Sequence, residues 1–540
     1  MSAEPRAISH PELFIGIAGP IGIDIEAMTD EIARALKAVG YESTPVRVTD
    51  LMKKYSAPDV TSAGDDYFSQ MNYKMDYANA LCMAAGDPAL LMRVAIEGII
   101  TYRDEHSEPA PQLAEALSAQ GAEDVGNGAD SAVLPSTAYI IRQLKRPEEV
   151  QLLRQVYGKL FVLISGYGSE EHRRGRILER GKASLPVSTP GPVLEEKTAS
   201  ILERDHDEGM SKHVQHLRDT FHLADVFVDG INRDQMRNGV ERFFQAFFGR
   251  VDIGPTKSEY GMYSAKAVSL RSTDLSRQVG AAAFTDDGEV ISQGCNEVPK
   301  AFGGTYWFGE EPDHRDVRLG YDPNDALKKD VIRDLLERLE KGGLLSDAGK
   351  AQSPSEKFVE ELLGRGTPGP NHHGCLTGSL ISDLTEYGRV VHAEMVAICD
   401  AARLGKPLKN AILYVTTFPC HNCTKHILAV GIRRVIYMEP YPKSRAKQLH
   451  SNEIEIEKLS ANKVAFVPFL GISPFRYRDI FEKSSRKSGG AARTWYSRDD
   501  EPRPLVHISG PTYLETELVE VGSIGGAFKE SVSTSTSKPA

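Results

Sequence analysis

The 540-residue sequence predicts an α/β protein of two domains with a C-terminal extension. Three observations predict it. Short apolar runs rich in β-branched residues alternate with helical stretches through the first 250 residues, as in a parallel sheet covered on both faces. Beyond that point the pattern changes to a helix followed by a hairpin. The composition, 41% hydrophobic and 26% charged, supplies enough apolar surface for a sizeable core.

Taken in order, LFIGIAG (13–19) predicts the first strand, GPIGID (19–24) a glycine-rich turn, and IEAMTDEIARALKAVG a helix closed by a glycine. Helical EEVQLLRQVYG precedes a second strand, KLFVLISGYG (159–168). A third, ADVFVDG (224–230), precedes the amphipathic QMRNGVERFFQAFFG. Polar stretches at 119–135 and 182–200 are expected to be loops or insertions. These segments make the first domain, 1–250. In the second, 251–485, SEYGMYSAKAVSLRSTDLSRQ (258–278) predicts a helix and VGAAAFTDDGEVISQG (279–294) a hairpin turning at Asp287-Gly288. The charged NDALKKDVIRDLLERLEKGG (324–343) predicts a helical insertion. Residues 486–540 form the extension, and its end, KESVSTSTSKPA, is expected to be disordered.

A formal net charge of -11 argues against a protein that coats nucleic acid through a basic face, yet allows a local pocket for one phosphate ester. Six cysteines (Cys82, Cys295, Cys375, Cys399, Cys420 and Cys423) are too sparse for a disulfide framework and point to reduced thiols in the cytoplasm. The opening residues lack a basic start leading into a long apolar run, and no run of about 18 apolar residues occurs. Neither a signal peptide nor a membrane partner is therefore expected.

AILYVTTF (411–418) predicts a strand running into Pro419, a residue suited to the first turn of a helix. Cys420 and Cys423 then lie one helical turn apart on one face, at a helix N-terminus that stabilises thiolates. His392 opens another helix, VHAEMVAICDAARLG, and supplies a third ligand. Three such ligands suit Zn2+ with one position left open, the catalytic rather than the structural arrangement. Glu394, two residues after the histidine, is close to such a metal without being bound to it. It is expected to move a proton from an activated water to a ring nitrogen and on to a leaving amine. His-x-Glu with Pro-Cys-x-x-Cys is the signature of zinc nucleobase deaminases. Chance gives roughly 0.004 matches to Pro-Cys-x-x-Cys at this composition. A structural zinc would require a fourth ligand such as His372, His373 or Cys375, and a redox pair would leave His392 and Glu394 unexplained.

These motifs carry a family resemblance. Through RQVGAAAF, GCNEVP, VHAEMVAI and TTFPCHNCTKHILAVGIRRVIYMEPYP, residues 265–440 resemble the deoxycytidylate deaminases of the cytidine deaminase superfamily. That resemblance implies a cytidine deaminase-like α/β/α domain. Over residues 10–485 the chain resembles the bacterial anti-phage deoxycytidine nucleotide deaminases, in which a P-loop kinase-like domain is fused to the deaminase. The resemblance implies hydrolytic deamination of free deoxycytidine nucleotides, dCTP and dCMP, draining the pool during phage infection. It implies homo-oligomers, with a regulatory RNA or nucleotide as a further partner. It implies that Asn296 contacts the sugar; as a turn asparagine, the same residue would cap a loop. The residues alone leave two other functions open: deamination of cytosine in a polynucleotide, and nucleotide sensing around a structural zinc.

EPYPKSRAKQLH (439–450) offers Tyr441, Lys443, Ser444, Arg445 and Lys447 as a substrate site holding a 5′-phosphate, or else a solvated basic turn. Arg271 and Arg277 offer similar chemistry. His372, His373 and Cys375 form either a second metal cluster or a plain loop. GPIGIDIEA (19–27) takes the place of a phosphate-binding loop, with Gly19, Gly22, Asp24 and Ile25 as candidate nucleotide-binding residues. The loop lacks the lysine that reaches the phosphates, and Asp24 would repel one. Nucleotide binding, sensing or scaffolding is expected rather than phosphoryl transfer. HRRGR (172–176) is similar to the arginine-rich lid of nucleotide kinases, or is an exposed basic turn.

Overall fold

A computed structural model of the chain describes residues 10–60, 62–107, 133–206, 214, 216–365, 374–382, 384, 387–441, 443–483, 486–496, 502–506 and 510–535. The chain divides into two compact units, Met1–Glu259 with Leu470–Ala540, and Tyr260–Phe469.

In the first unit, β1 (Leu13–Ala18) is buried along its whole length and leads through the glycine-rich turn into α1 (Ile25–Lys37). β2 (Glu42–Val46), β3 (Thr137–Leu144), β4 (Phe161–Tyr167) and β5 (Val226–Asp229) complete a parallel sheet in the order β5-β4-β1-β3-β2. The continuous apolar runs of β1 and β4 are those of strands buried on both faces. β2 carries Pro45 and sits at the sheet edge, where a missing donor is tolerated. The order reverses about β1, so the loops leaving its carboxyl end open a crevice.

Among the longer helices described in this unit are α2 (Tyr67–Ala85), α3 (Leu90–His106), α4 (Pro147–Tyr157), α5 (Glu170–Ser184), α6 (Gly191–His206) and α7 (Arg233–Phe247). The expected loop at 182–200 is largely helical, because Leu194, Ile201 and Leu202 form a sparse stripe that packs on Phe68 and Ile177. Of the other expected loop, 119–132 lies outside the described residues.

In the second unit, α8 (Lys257–Ser269) ends earlier than the periodicity predicts. Ser272 donates to the Asn296 carbonyl at 2.6 Å and Asp274 accepts from the Ser276 amide at 3.0 Å, so side chains draw the backbone out of the helix. The hairpin β6 (Gly280–Phe284) and β7 (Val290–Cys295) turns at Gly288, whose φ of +102° suits glycine. The insertion helix is α9 (Pro323–Lys341). α10 (Ala393–Arg403), β8 (Ile412–Thr417), α11 (His421–Ala429), β9 (Arg434–Glu439), β10 (Ile454–Ile456) and β11 (Val464–Pro468) follow. The sheet runs β10-β11-β9-β8-β6-β7, parallel up to β8 and antiparallel beyond. Its core includes Ala281, Ala283, Ala393, Ala397, Leu413 and Val415.

The second unit closes at Phe469, earlier than the expected 485. The reason is β12 (Gly471–Ile472), which pairs antiparallel with β5 and so belongs to the first sheet. The C-terminal stretch is likewise no free extension. α12 (Tyr513–Ser535) continues through the first residues of KESVSTSTSKPA, and 536–540 lie outside the described residues. The start of α12 is fixed by Glu517, which pairs at 2.8 Å with the fully buried Arg103. Arg103 also pairs with Glu12 at 3.0 Å, and the Tyr513 hydroxyl donates to Glu12. No helix among the described residues is long and apolar enough to cross a membrane.

Candidate metal centre

Two helix N-termini converge in the second unit. β8 ends at Thr417, and the Phe418 amide donates to the Glu439 carbonyl at the end of β9 (2.8 Å). Pro419 follows, held by the Ser444 hydroxyl on its carbonyl at 2.8 Å. Sequence reasoning puts Pro419 inside the helix; the structure puts it just before. Cys420 is the N-cap of α11, because its sulfur accepts from the Cys423 amide at 3.4 Å.

His392 is the N-cap of α10. Its predecessor Val391 exchanges backbone hydrogen bonds with Glu297 at 3.0 and 3.3 Å, so the histidine is stitched to the chain leaving β7. Asn296 Oδ1 accepts from the Ala393 amide at 3.0 Å, and its Nδ2 donates to Asp274 (3.0 Å) and to the Arg277 carbonyl (3.2 Å). The close approach of α10 to β7 depends on Gly294, where a Cβ would stand 2.3 Å from the Ala393 carbonyl oxygen.

The result is a His392–Cys420–Cys423 cluster whose ligand atoms all lie within 4.8 Å of one another. His392 Nδ1 is 3.4 Å from Cys420 Sγ and 3.5 Å from Cys423 Sγ. Tetrahedral zinc with ordinary Zn–N and Zn–S bonds sets such edges at about 3.6 Å. One imidazole proton cannot serve two sulfurs equally, whereas one metal ion can, so donor set and spacing fit zinc. Zinc is the cofactor of this centre. Hydrogen bonding with Cys423 and with His392 pulls the Cys420 thiol down to about 4. Hydrogen bonding with Cys420 moves Cys423 the other way, well above its ordinary value. The Cys420 hydrogen bond also lifts His392 to about 9.

Glu394 lies in the first turn of α10, 4% exposed, its carboxyl raised first by burial and then by the charge of Cys420. It faces Cys423 without being one of the three clustered ligands. Sequence reasoning missed the layer beneath: Ser272, Asp274 and Glu297, the last accepting from the amide (3.1 Å) and hydroxyl (3.0 Å) of Thr273. No spacing signal marks these three; only the fold brings Asp274 to Asn296.

Of the predicted substrate residues, Ser444 is committed to Pro419, and Lys443, Arg445 and Lys447 are exposed. Tyr441 carries the Arg277 guanidinium over its ring at 5.6 Å. Arg271 bonds Thr305 and stacks on Trp307 at 4.1 Å. His372 and His373 lie outside the described residues, and Cys375 is exposed. Gly19, Gly22, Asp24 and Ile25 belong to the first unit, at the carboxyl end of β1. Asp24 caps α1 and pairs with Arg176 of the HRRGR segment at 2.8 Å. Burial disfavours its charge, but Arg176 and the Ala27 amide hold the carboxyl below its usual range.

Residues 255–439 match the family model of the cytidine and deoxycytidylate deaminase zinc-binding region. The chain is 43% identical over 68 residues to ComE operon protein 2 of Bacillus subtilis (strain 168), covering 13% of this chain and 33% of that protein. It is 44% identical over 55 residues to the deoxycytidylate deaminase of Enterobacteria phage T2, covering 10% and 29%. The chain thus spans about a third of the length of these relatives. Among solved structures, the dCMP deaminase of cyanophage S-TIM5 in complex with dCMP and dUMP is 15% identical, with a TM-score of 0.22 over 40% of this chain and 99% of that one.

Proposed function

We propose that the second unit is a zinc-dependent deaminase of deoxycytidine nucleotides, converting dCMP and water to dUMP and ammonia. The observation that carries this is the His392–Cys420–Cys423 cluster with Glu394 buried beside it, inside a stretch matching a deaminase zinc-binding region. His392, Cys420 and Cys423 would hold the zinc, which when bound supplies a Lewis acid that acidifies water at its open position. Glu394 takes one proton from the water that adds at C4 and delivers it to N3 of the ring, then takes the second from the new C4 hydroxyl and delivers it to the departing amine. Its burial keeps bulk water from competing for that proton.

Asn296 would receive the sugar, through whatever hydrogen-bonding capacity its three present partners leave. Exposed Lys443, Arg445 and Lys447 would meet the 5′-phosphate. The longer resemblance extends the reading to dCTP, to pool depletion in anti-phage defence, to a P-loop kinase-like first unit and to homo-oligomers. The parallel strand order of that unit supports the kinase-like reading.

The test is ammonia release by the full chain from dCMP, dCTP and a cytosine-containing single-stranded oligonucleotide. Glu394→Ala is expected to retain zinc and to lower turnover by about 10²–10⁴-fold. Turnover of the oligonucleotide alone, or an undiminished rate in Glu394→Ala, would overturn the proposal.

A further inference from the structure

Within the first unit, α12 lies against α2, α3 and α4. Through Gly525 it buries Tyr513, Glu517 and Ile524, which share one helical face, so a carboxylate stands between the two apolar anchors. The aliphatic side chains of Leu518 and Val519 are left 49% and 71% exposed. Little apolar surface therefore holds this part of the helix in place.

Both acids that tie α12 down go to arginines that already hold another carboxylate. Arg103 gives Nη1 and Nη2 to Glu517 at 2.8 and 3.1 Å, and Nε and Nη2 to Glu12 at 3.1 and 3.0 Å. Arg93 pairs with Glu520, and its Nε donates to Asp87 at 2.7 Å. Taking α12 away orphans neither arginine. With α12 docked, two buried carboxylates share one guanidinium, and the surplus negative charge costs desolvation. The Tyr157 hydroxyl on Glu517 (2.9 Å) and the Tyr513 hydroxyl on Glu12 (2.6 Å) offset part of it. Without α12, Arg103 and Glu12 match one to one, and Glu12 keeps the Tyr139 hydroxyl (2.9 Å) and the Leu134 amide (3.2 Å).

The helix is also weak in itself. Gly522 and Gly525 lie in its interior, where glycine loses more backbone freedom than any other residue. No neighbour demands them, since a Cβ at either position would meet nothing within 4 Å. A helix with such positions owes its order to docking.

We propose that α12 is a detachable clasp: it docks on α2, α3 and α4 as an intramolecular ligand and melts off as a unit while the sheet beneath stays folded. The dock recognises this chain's own Tyr513, Glu517 and Glu520, with Arg103 and Arg93 as its anchors. This goes beyond the deaminase reading and uses none of its residues.

Hydrogen–deuterium exchange of the full chain tests it. Amides of α12 are expected to exchange together, at least about tenfold faster than those of β1 and β4. Gly522→Ala with Gly525→Ala is expected to slow α12 by about tenfold. Glu517→Ala is expected to speed it by about tenfold or more, and β1 and β4 hold their rates in both variants. If Glu517→Ala melts early, Tyr513→Phe, which loses only the hydroxyl on Glu12, takes its place with the same direction expected. In a second experiment a protease site inserted between Gly510 and Pro511 is cut in the folded full-length protein. A fluorescent peptide of residues 511–535 should then exchange into the dock with Kd of about 1–100 μM, and its Glu517→Ala form about tenfold more weakly. The proposal falls if α12 exchanges no faster than β1 and β4, or if the glycine replacements leave its rate unchanged. It falls equally if the acid variant speeds the whole unit alike, or if the cut segment leaves only when the unit unfolds. None of those outcomes bears on ammonia release, so the two readings fail separately.

Discussion

Asn296 ties the chain leaving β7 to the start of α10, where His392 stands. Its carbonyl oxygen caps the first amide of α10, next to His392, while its amide nitrogen is tied to Asp274 and to the Arg277 carbonyl. Asn296→Ala would strand a buried amide and break the link to Asp274, at a cost of about 1–3 kcal/mol in unfolding free energy. Groups that orient metal ligands typically alter affinity by about 10–100-fold. Competition with a chromophoric chelator should therefore show weaker zinc retention in Asn296→Ala. That readout does not involve the sugar; unchanged zinc affinity would leave Asn296 a substrate contact only. At this scale His392, Glu394, Cys420 and Cys423 are legible because the chemistry demands particular residue types at short spacings. Asp24 shows the opposite: its neutralising partner Arg176 lies 152 positions away, and no local pattern joins them.

At the scale of elements, β6, β7 and α10 meet through small residues. Ala281 and Ala283 are fully buried, and Gly294 leaves room for the Ala393 carbonyl. GAAAF has low intrinsic strand preference, yet it forms the strand between β7 and β8, because a closely docked helix excludes larger side chains. Gly294→Ala should push α10 away from β7 and carry His392 with it. The expected signature is reduced zinc stoichiometry together with a lower urea midpoint; full zinc content at an unchanged midpoint would show that α10 tolerates the shift. The hairpin and α9 were readable from turn chemistry and charge. α6 was not, since its apolar stripe is only Leu194, Ile201 and Leu202 in a polar stretch. The premature end of α8 came from side-chain bonds at Ser272 and Asp274 that a periodicity argument does not weigh.

At the scale of the whole molecule, the chain makes two units with separate sheets, and the first is discontinuous because β12 and α12 return to it after the second is complete. A linear reading assigns segments by proximity in sequence, so it extended the second domain past Phe469. What anchors α12 is the Arg103 cluster with Glu12 and Glu517, a set of partners spread across the sequence and buried beyond the reach of composition. The proposed zinc ligands His392, Cys420 and Cys423, in contrast, all lie in Tyr260–Phe469. Ligand binding to the folded state alone stabilises by RT ln(1 + [L]/Kd), about 2.7 kcal/mol when free ligand is 100 times Kd. Stripping zinc from the full chain should therefore destabilise the second unit and spare the first. Differential scanning calorimetry of holo and chelated protein should show one transition moving down and another holding its temperature. In a His392→Ala variant the mobile transition should start low and ignore the chelator. A single transition that shifts as a whole would mean that the two units unfold as one cooperative body, and the assignment of zinc's stabilisation to the second unit would fall.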